Sequence, residues 1–387
     1  MNTYTLPALS CFKRGMPRPD ITVRDTLGED ITRILLSYNV KGAVTSVQTG
    51  PLLTRVMFEP EAGTRSKRVI GLTQDLARHL RAKSALISQL PGEIALAIEI
   101  PHDEPQTVRL GDLLGSEEFA AYQADLPIVL GCSVTGEPMF ADLAAMPHLL
   151  MAGSTGSGKS VGMHGIILSL MYRLTSHQVR MILIDPKMLE FQTYKGTPHV
   201  EVGVITDVGL AVSAFEMLVE EMEKRYRILS RKGVRDIKSF NERGRIDAAL
   251  LGDEFTPMPR IVVAVDELAD LMLVAGKQFE SLVQRIAQKA RAAGIHMILA
   301  TQRPSTDVIT GIIKANLPSR LSYAVASSID SRCILGQMGA EHLIGRGDSL
   351  FMKGNIVERI HGALVTDDEI AAVTDMLKEQ TQELTAS

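Results

Sequence analysis

The sequence predicts an α/β protein in which a small α+β unit precedes a larger domain with a parallel-sheet core. Three observations carry that prediction. The segments HLLMAG, VRMILID, RIVVAVDE, IHMILAT and SRLSYAV are short, nearly all apolar, and alternate with long helical patterns. Strands apolar on both faces belong to a parallel sheet covered on both sides. The first third of the chain instead mixes short helices with strand pairs, and 387 residues are too many for one typical core.

In chain order, residues 1–25 carry LPALS and GMPRPD, proline-punctuated and without period, and read as an N-terminal arm. Residues 26–120 form the small unit. EDITRILLSYNV spaces its apolar residues for a helix, and GAVTSVQTG and LLTRVMFEP read as strands around a Gly50-Pro51 turn. LTQDLARHLRA is a second helix, and SALISQLPG and IALAIEIP are a strand pair around Pro91-Gly92. No catalytic constellation stands out there. After EEFAAYQADLP the alternation of buried strands and helices begins, which assigns residues 121–387 to the larger domain. Within it RGRIDAALLGDEFTPMP, residues 243–259, reads as a surface excursion, and a short helical tail follows the last strand, RIHGALVT.

Apolar residues at 45% and charged residues at 22% are ordinary for a soluble globular protein. A formal net charge of −4 argues against a uniformly basic coat for nucleic acid, so such binding requires a local cluster or a ring that concentrates a few cations per subunit. Cys11, Cys132 and Cys333 are far apart, without metal-type spacing, and read as reduced and structural. No apolar run is long enough to span a bilayer and the N-terminus lacks a signal peptide's apolar core, so the expectation is a cytoplasmic chain without membrane insertion.

Gly153-Ser154-Thr155-Gly156-Ser157-Gly158-Lys159-Ser160 fits G-x-x-x-x-G-K-[ST] at every fixed position, with an apolar strand before it and a helix after. Glycines let backbone N–H groups turn around phosphates, the helix N-terminus adds its positive end, Lys159 reaches the terminal phosphates, and the Ser160 hydroxyl can ligate Mg²⁺. With Val161, the next residue of the helix, these form the predicted ATP-binding set. PRIVVAVDELADLM ends its strand in Asp266-Glu267: Asp266 suits a Mg²⁺ contact and Glu267 can polarise an attacking water. GIHMILATQRPS ends in Thr301-Gln302-Arg303, and Gln302 is the candidate γ-phosphate sensor. The chain carries neither the Asn-Lys-x-Asp motif that reads guanine nor Leu-Ser-Gly-Gly-Gln, which disfavours a GTPase and an ABC-type ATPase.

MPHLLMAGSTGSGKSVG, ILIDPKMLEFQTYKGTPH, EMEKRYRILSRKGVRDIKSFN, VVAVDELADLM, IAQKARAAGIHMILATQRPSTDVITGIIKANLPSR and SSIDSRCILGQMGAEHLIGRGDSLF resemble, in this order, the motor core of the FtsK/SpoIIIE double-stranded DNA translocases. YTLPALS, YNVKGAVTSVQTGPLLTRVMFEP and LTQDLARHLRA resemble the arm and small α domain before that motor. The resemblance implies a hexameric ring with the small domains in one tier, RecA-like P-loop ATPase domains in the other, and duplex DNA in the pore. It implies ATP at subunit boundaries and a cation donated in trans. The residues alone leave Arg285, Arg291, Arg303 and Arg320 open for that part, and the family pattern points to Arg291. It places DNA-gripping loops around Arg303 to Lys314 and Ser327 to Arg332, with Arg303, Lys314 and Arg332 on backbone phosphates and Arg320 open to a structural role. Asp185-Pro186-Lys187 resembles the family's motif after the second core strand.

Typical members add membrane segments before the motor and a winged-helix γ domain after it, and the sequence given contains neither. The methionine just before a family-like arm favours a free-standing homologue, of phage or plasmid origin, over an excised motor that serves chromosome segregation. Two alternatives carry their own signatures. A DNA pump of the HerA, packaging or conjugation clan calls for a nuclease domain or transmembrane helices, and a nucleotide-switched assembly protein has no need of Glu267.

Overall fold

The computed structural model describes residues 5–15, 26–89, 92–251 and 254–386; most of the N-terminal arm, with the GMPRPD prolines, and Pro91 of the expected turn lie outside them. Among the described residues the strands form two sheets. The first belongs to the small unit, where β1 (Gly42–Thr49), β2 (Leu53–Pro60), β3 (Leu86–Gln89) and β4 (Leu96–Pro101) pair antiparallel in the order β1-β2-β4-β3. The helices α1 (Leu27–Ser37), α2 (Ser66–Ile70) and α3 (Thr73–Leu80) cover it. The spacing of α1 explains why: Leu27, Ile31 and Leu35 recur every fourth residue and are buried against Val56, Phe58 and Ile98 of the sheet. The β1–β2 turn needs glycine for a packing reason, since a Cβ on Gly50 would lie 1.5 Å from the Val134 carbonyl oxygen of the second domain.

The connection to that domain is helical, α4 (Leu110–Leu114) and α5 (Glu117–Ala121). Their apolar side chains join the same core as β5 (Pro127–Ser133) and β6 (Pro138–Asp142), as do Phe12 of the arm and Leu52 and Leu53 of β2 and its turn. There follow β7 (His148–Ala152), α6 (Lys159–Arg173), β8 (Val179–Ile184), β9 (Val204–Ile205), α7 (Val208–Lys232), α8 (Ile237–Leu251), β10 (Arg260–Val265), α9 (Leu268–Ala293), β11 (Ile295–Thr301), α10 (Gly311–Asn316), β12 (Ser319–Tyr323), α11 (Ser328–Leu335), β13 (Asp348–Lys353), β14 (Ile356–His361) and α12 (Asp367–Ala386). The large sheet runs β6-β5-β14-β13-β12-β7-β11-β10-β8-β9. From β12 to β9 every pairing is parallel, and the strands read from the sequence as buried on both faces form that part. The pleat shows the reason: Leu149 and Met151 point into the core under α6 and α12, whereas Leu150 and Ala152 point into the core under α7, α9, α10 and α11.

On the other side of β12 the sheet turns antiparallel through β13, β14, β5 and β6, an extension of which the sequence reading contained only the strand RIHGALVT, whose first residues end β14. Residues 243–251 are the mostly exposed last part of α8 and 254–259 lead back to β10; Asn241, whose side chain exchanges hydrogen bonds with the Met258 backbone at 3.0 and 2.8 Å, ties the helix to that return. All parallel strands present their carboxyl ends at one edge. Ala152 pairs with Thr301 and Val265 with Ile184, so the residues that follow β7, β8, β10 and β11 emerge side by side. That crevice is where ligands bind in open α/β sheets.

Candidate nucleotide site

The glycine-rich loop fills the turn from β7 into α6. Gly156 and Gly158 stand at φ +76 and +104, a conformation that side chains resist, and a Cβ on Gly158 would lie 2.4 Å from the backbone nitrogen of Gly347. The Gly347 N–H donates to the Ser157 carbonyl at 2.9 Å, which pins the loop to the segment before β13. Ser154 donates to the Ala324 carbonyl from both its backbone nitrogen and its hydroxyl at 2.9 Å. Gly153 and Gly162 are demanded by Tyr323 of β12, whose Cβ and hydroxyl would meet their added Cβ atoms at 2.6 and 1.8 Å. The loop is therefore held from below while Thr155 and Gly156 stay exposed. Val161 is half-buried in the first turn of α6.

Lys159 is buried. Its Nζ donates to Asp266 Oδ1 and to the Asp266 carbonyl, both at 2.8 Å. Burial pushes the Asp266 carboxyl above its usual range and Lys159 opposes that shift. Glu267 is 1% exposed and caps α9. Its Oε1 accepts from the Thr301 hydroxyl at 2.6 Å and the Ala269 N–H at 3.3 Å, and its Oε2 accepts from the Gln302 N–H at 3.1 Å. The half-exposed Lys187 ammonium lies 3.5 Å from Glu267 and 3.7 Å from Asp270. Gln302 Oε1 accepts from the Thr155 hydroxyl at 2.9 Å, which ties the end of β11 to the glycine loop. Ser160 donates to Glu190 Oε1 at 2.8 Å. A hydrogen bond from His164 is the main cause that lowers the Glu190 carboxyl below its usual range.

The structure thus brings together Lys159, Ser160, Asp266, Glu267 and Gln302. Glu190 and Thr301 join them without having been singled out; the signal for Glu190 was a carboxylate four residues after Pro186 in the turn that leaves β8. Arg291 stands apart. It is exposed near the end of α9, before β11, and β11 must run its seven residues to reach the glycine loop, a span of about 23 Å. There it lines a cleft with Arg235, Lys238, Arg260, Asp125 and Asp236.

Arg303 is exposed in the loop after β11, Lys314 lies on α10 and Arg332, exposed, on α11. Arg320 ties these elements together by donating to the carbonyls of Leu317, Lys314 and Ile334 at 3.1, 2.7 and 3.0 Å, which gives it a structural role. A cleft of about 900 Å³ lies elsewhere, between the small sheet and β14, and contains Glu99, Met338 and Arg359. It touches none of the nucleotide-loop residues; phosphate cradles are shallow and made of backbone, so cavity size does not locate them.

The sequence model of the FtsK/SpoIIIE family matches residues 109–306, and that of the FtsK alpha domain matches residues 6–102. A DNA translocase FtsK of Rickettsia typhi is 47% identical over 376 residues, covering 91% of this chain and 51% of the relative. That of Caulobacter vibrioides is 44% identical over 404 residues, covering 97% and 49%. The chain spans about half the length of the curated relatives it matches. Among solved structures, the pCW3 conjugation coupling protein TcpA, in monomer form with ATPγS, superimposes with a TM-score of 0.62 at 24% identity, covering 93% of this chain and 100% of that one. The type VII secretion ATPase EccC of Thermomonospora curvata gives 0.56 at 24% identity, over 65% of this chain and 31% of that one. The fold is the α/β fold of P-loop ATPases. Among the described residues no helix is long and apolar enough to cross a membrane.

Proposed function

This chain belongs to the FtsK/SpoIIIE family, and from that premise we propose that it is an ATP hydrolase that moves along double-stranded DNA as a ring of identical subunits, six in the family pattern. One observation carries the reading: the glycine loop, Lys159, Asp266, Glu267 and Gln302 converge at one edge of the sheet, while Arg291 stands at the other. A phosphoryl-transfer site uses a loop for the phosphates, a cation on them, a carboxylate for the water and a further cation for charge that develops in the transition state. Arg291 cannot supply that cation to its own loop, so it serves the loop of a neighbour.

Lys159 leaves Asp266 for the β- and γ-phosphates. Glu267 orients and activates the water, and Lys187, within 3.5 Å, and Thr301 hold its carboxylate in place. Gln302 reports the γ-phosphate to the loop that carries Arg303. The oxygen donors Ser160 and Asp266 suit a hard cation and would hold Mg²⁺, which offsets phosphate charge when bound. Arg303, Lys314 and Arg332 grip backbone phosphates, which carry no sequence and suit a motor that must move over any DNA. A ring repeats these cations in every subunit, so a net charge of −4 per chain is no obstacle.

The test is complementation. Lys159→Ala and Arg291→Ala should each abolish DNA-stimulated ATP turnover, and mixing the two variants should restore part of it, because some interfaces then pair an intact loop with an intact arginine. Turnover that stays absent in the mixture while both variants assemble would remove Arg291 from the trans role.

A further inference from the structure

The turn that leaves β8 carries two carboxylates with no part in the chemistry so far. Asp185 follows β8 beside Asp266: Ile184 and Val265 are in register, and the Asp266 N–H donates to the Ile184 carbonyl at 3.1 Å. Asp185 is 0% exposed. Its Oδ2 accepts from the backbone N–H groups of Glu190 and Phe191 at 2.9 and 3.0 Å, whereas Oδ1 is buried without a hydrogen-bond partner among the described residues. The two bonds that Asp185 does make fold the turn back onto α6. They set Glu190 Oε1 at 2.8 Å from the Ser160 hydroxyl and Oε2 at 3.3 Å from His164 Nε2, and His164 Nδ1 is 2.9 Å from the Tyr194 hydroxyl. Glu190 is thus aimed at the one P-loop hydroxyl whose chemistry is metal ligation, from a base that is itself buried and hydrogen-bonded.

A buried carboxylate oxygen without a donor is costly, and three carboxylates beside one another repel unless positive charge lies among them. Lys159 donates to Asp266 and its charge also draws the Glu190 carboxyl down, which still leaves Asp185 Oδ1 without a donor among the described residues. The arrangement is not a protein-only cage, since among the described residues no group of three His, Cys, Asp or Glu side chains is placed to hold a metal. It does suit a cation that keeps several waters and shares itself between phosphates and one or two carboxylates, which is the habit of Mg²⁺.

We propose that Glu190 and Asp185 complete the divalent-cation site of the nucleotide pocket, accepting hydrogen bonds from metal-bound water beside Ser160 and Asp266. The inference rests on the reading of this loop as an ATP site. His164 and Tyr194 then act as positioning residues for Glu190, in the way that outer partners orient metal ligands elsewhere.

The probe is Mn²⁺, followed by electron paramagnetic resonance with the full chain and ADP, alongside binding of a fluorescent ADP in EDTA. Glu190→Gln should weaken Mn²⁺ binding by about tenfold, the low end for outer-shell partners, and leave ADP affinity in EDTA within about twofold. Unchanged Mn²⁺ binding would overturn the proposal. So would tighter binding, because a Glu190 that merely competes with the metal for the Ser160 hydroxyl releases it when neutralised. If Glu190→Gln loses its melting transition, Glu190→Asp is read in the same assay, where loss intermediate between wild type and EDTA is expected and none contradicts. Wild-type protein that binds no ADP under either condition would instead sink the ATP-site reading beneath it.

Discussion

Lys159, at the start of α6, and Arg359, on β14, are both cations with 3% side-chain exposure facing aspartates, yet their surroundings differ. Arg359 donates through Nε and Nη2 to Asp348 at 2.9 and 2.6 Å and through Nη1 to Glu99 at 2.8 Å. The second Glu99 oxygen takes Arg55 at 2.6 Å, and Asp348 also accepts from the Ile344 N–H. Every carboxylate oxygen in that network has a donor. Burial alone would lower the Arg359 guanidinium, but Asp348 and Glu99 reverse it and raise it above its usual range. Around Lys159 the accounts do not close: Ser157 Oγ and Asp185 Oδ1 are buried without hydrogen-bond partners among the described residues, and Glu267 leans on a lysine that is itself half exposed. A satisfied network has nothing to gain by moving, and this one fastens the small sheet to β13 and β14. An unsatisfied one is completed by a ligand.

That contrast breaks if site variants change stability more than function, or network variants the reverse. The largest effect belongs to Arg291→Ala, which should cut ATP turnover by about 10³-fold or more, the value of a trans arginine in phosphoryl transfer, with the melting temperature nearly unmoved because the side chain is exposed. Glu267→Gln should cut turnover by about 10²-fold or more while ADP still binds; unchanged turnover would remove Glu267 from water activation. Arg359→Met should leave nucleotide affinity within about twofold and cost about 3–5 kcal/mol in denaturant unfolding, because Asp348 and Glu99 stay buried without their cation. A loss below about 1 kcal/mol would show that the network is no fastener.

Acid sharpens the comparison further. Burial holds the imidazoles of His148 and His296 down at about 3 and those of His199 and His361 at about 4. A histidine whose folded pKa is depressed contributes stability that is complete above the ordinary value of 6.5 and lost as pH falls toward the folded value. The melting temperature should therefore drop between pH 6.5 and 4.5, before most carboxylates titrate, and a flat profile there contradicts the burial. The smallest change is expected at Arg78, whose side chain is 72% exposed and pairs with Asp75 one helical turn away; Arg78→Ala should shift stability by no more than about 0.5 kcal/mol.

How much of this was legible depended on distance along the chain. The parallel strands announced themselves because burial on both faces leaves a continuous apolar run, as in RIVVAV. The glycine loop and Asp266-Glu267 were legible because their spacing is local. Of the antiparallel extension only the end of β14 was, within RIHGALVT, since β5 meets β14 through Cys132 and His361, a pairing that no local period encodes. Glu99 lies 260 residues from Arg359, and its only trace was a lone charge inside the apolar run LAIEIP. Asp185 and Glu190 sat within a recognised motif, but the reach of Glu190 to Ser160 depends on how the turn folds back, which only the packed chain displays.

The central claim, that this site drives motion along duplex DNA, is tested most directly by displacement of a triplex-forming strand from linear DNA. The wild-type chain should strip the strand in an ATP-dependent manner and Glu267→Gln should leave it in place. ATP turnover indifferent to duplex DNA, with the third strand still bound, would contradict the account.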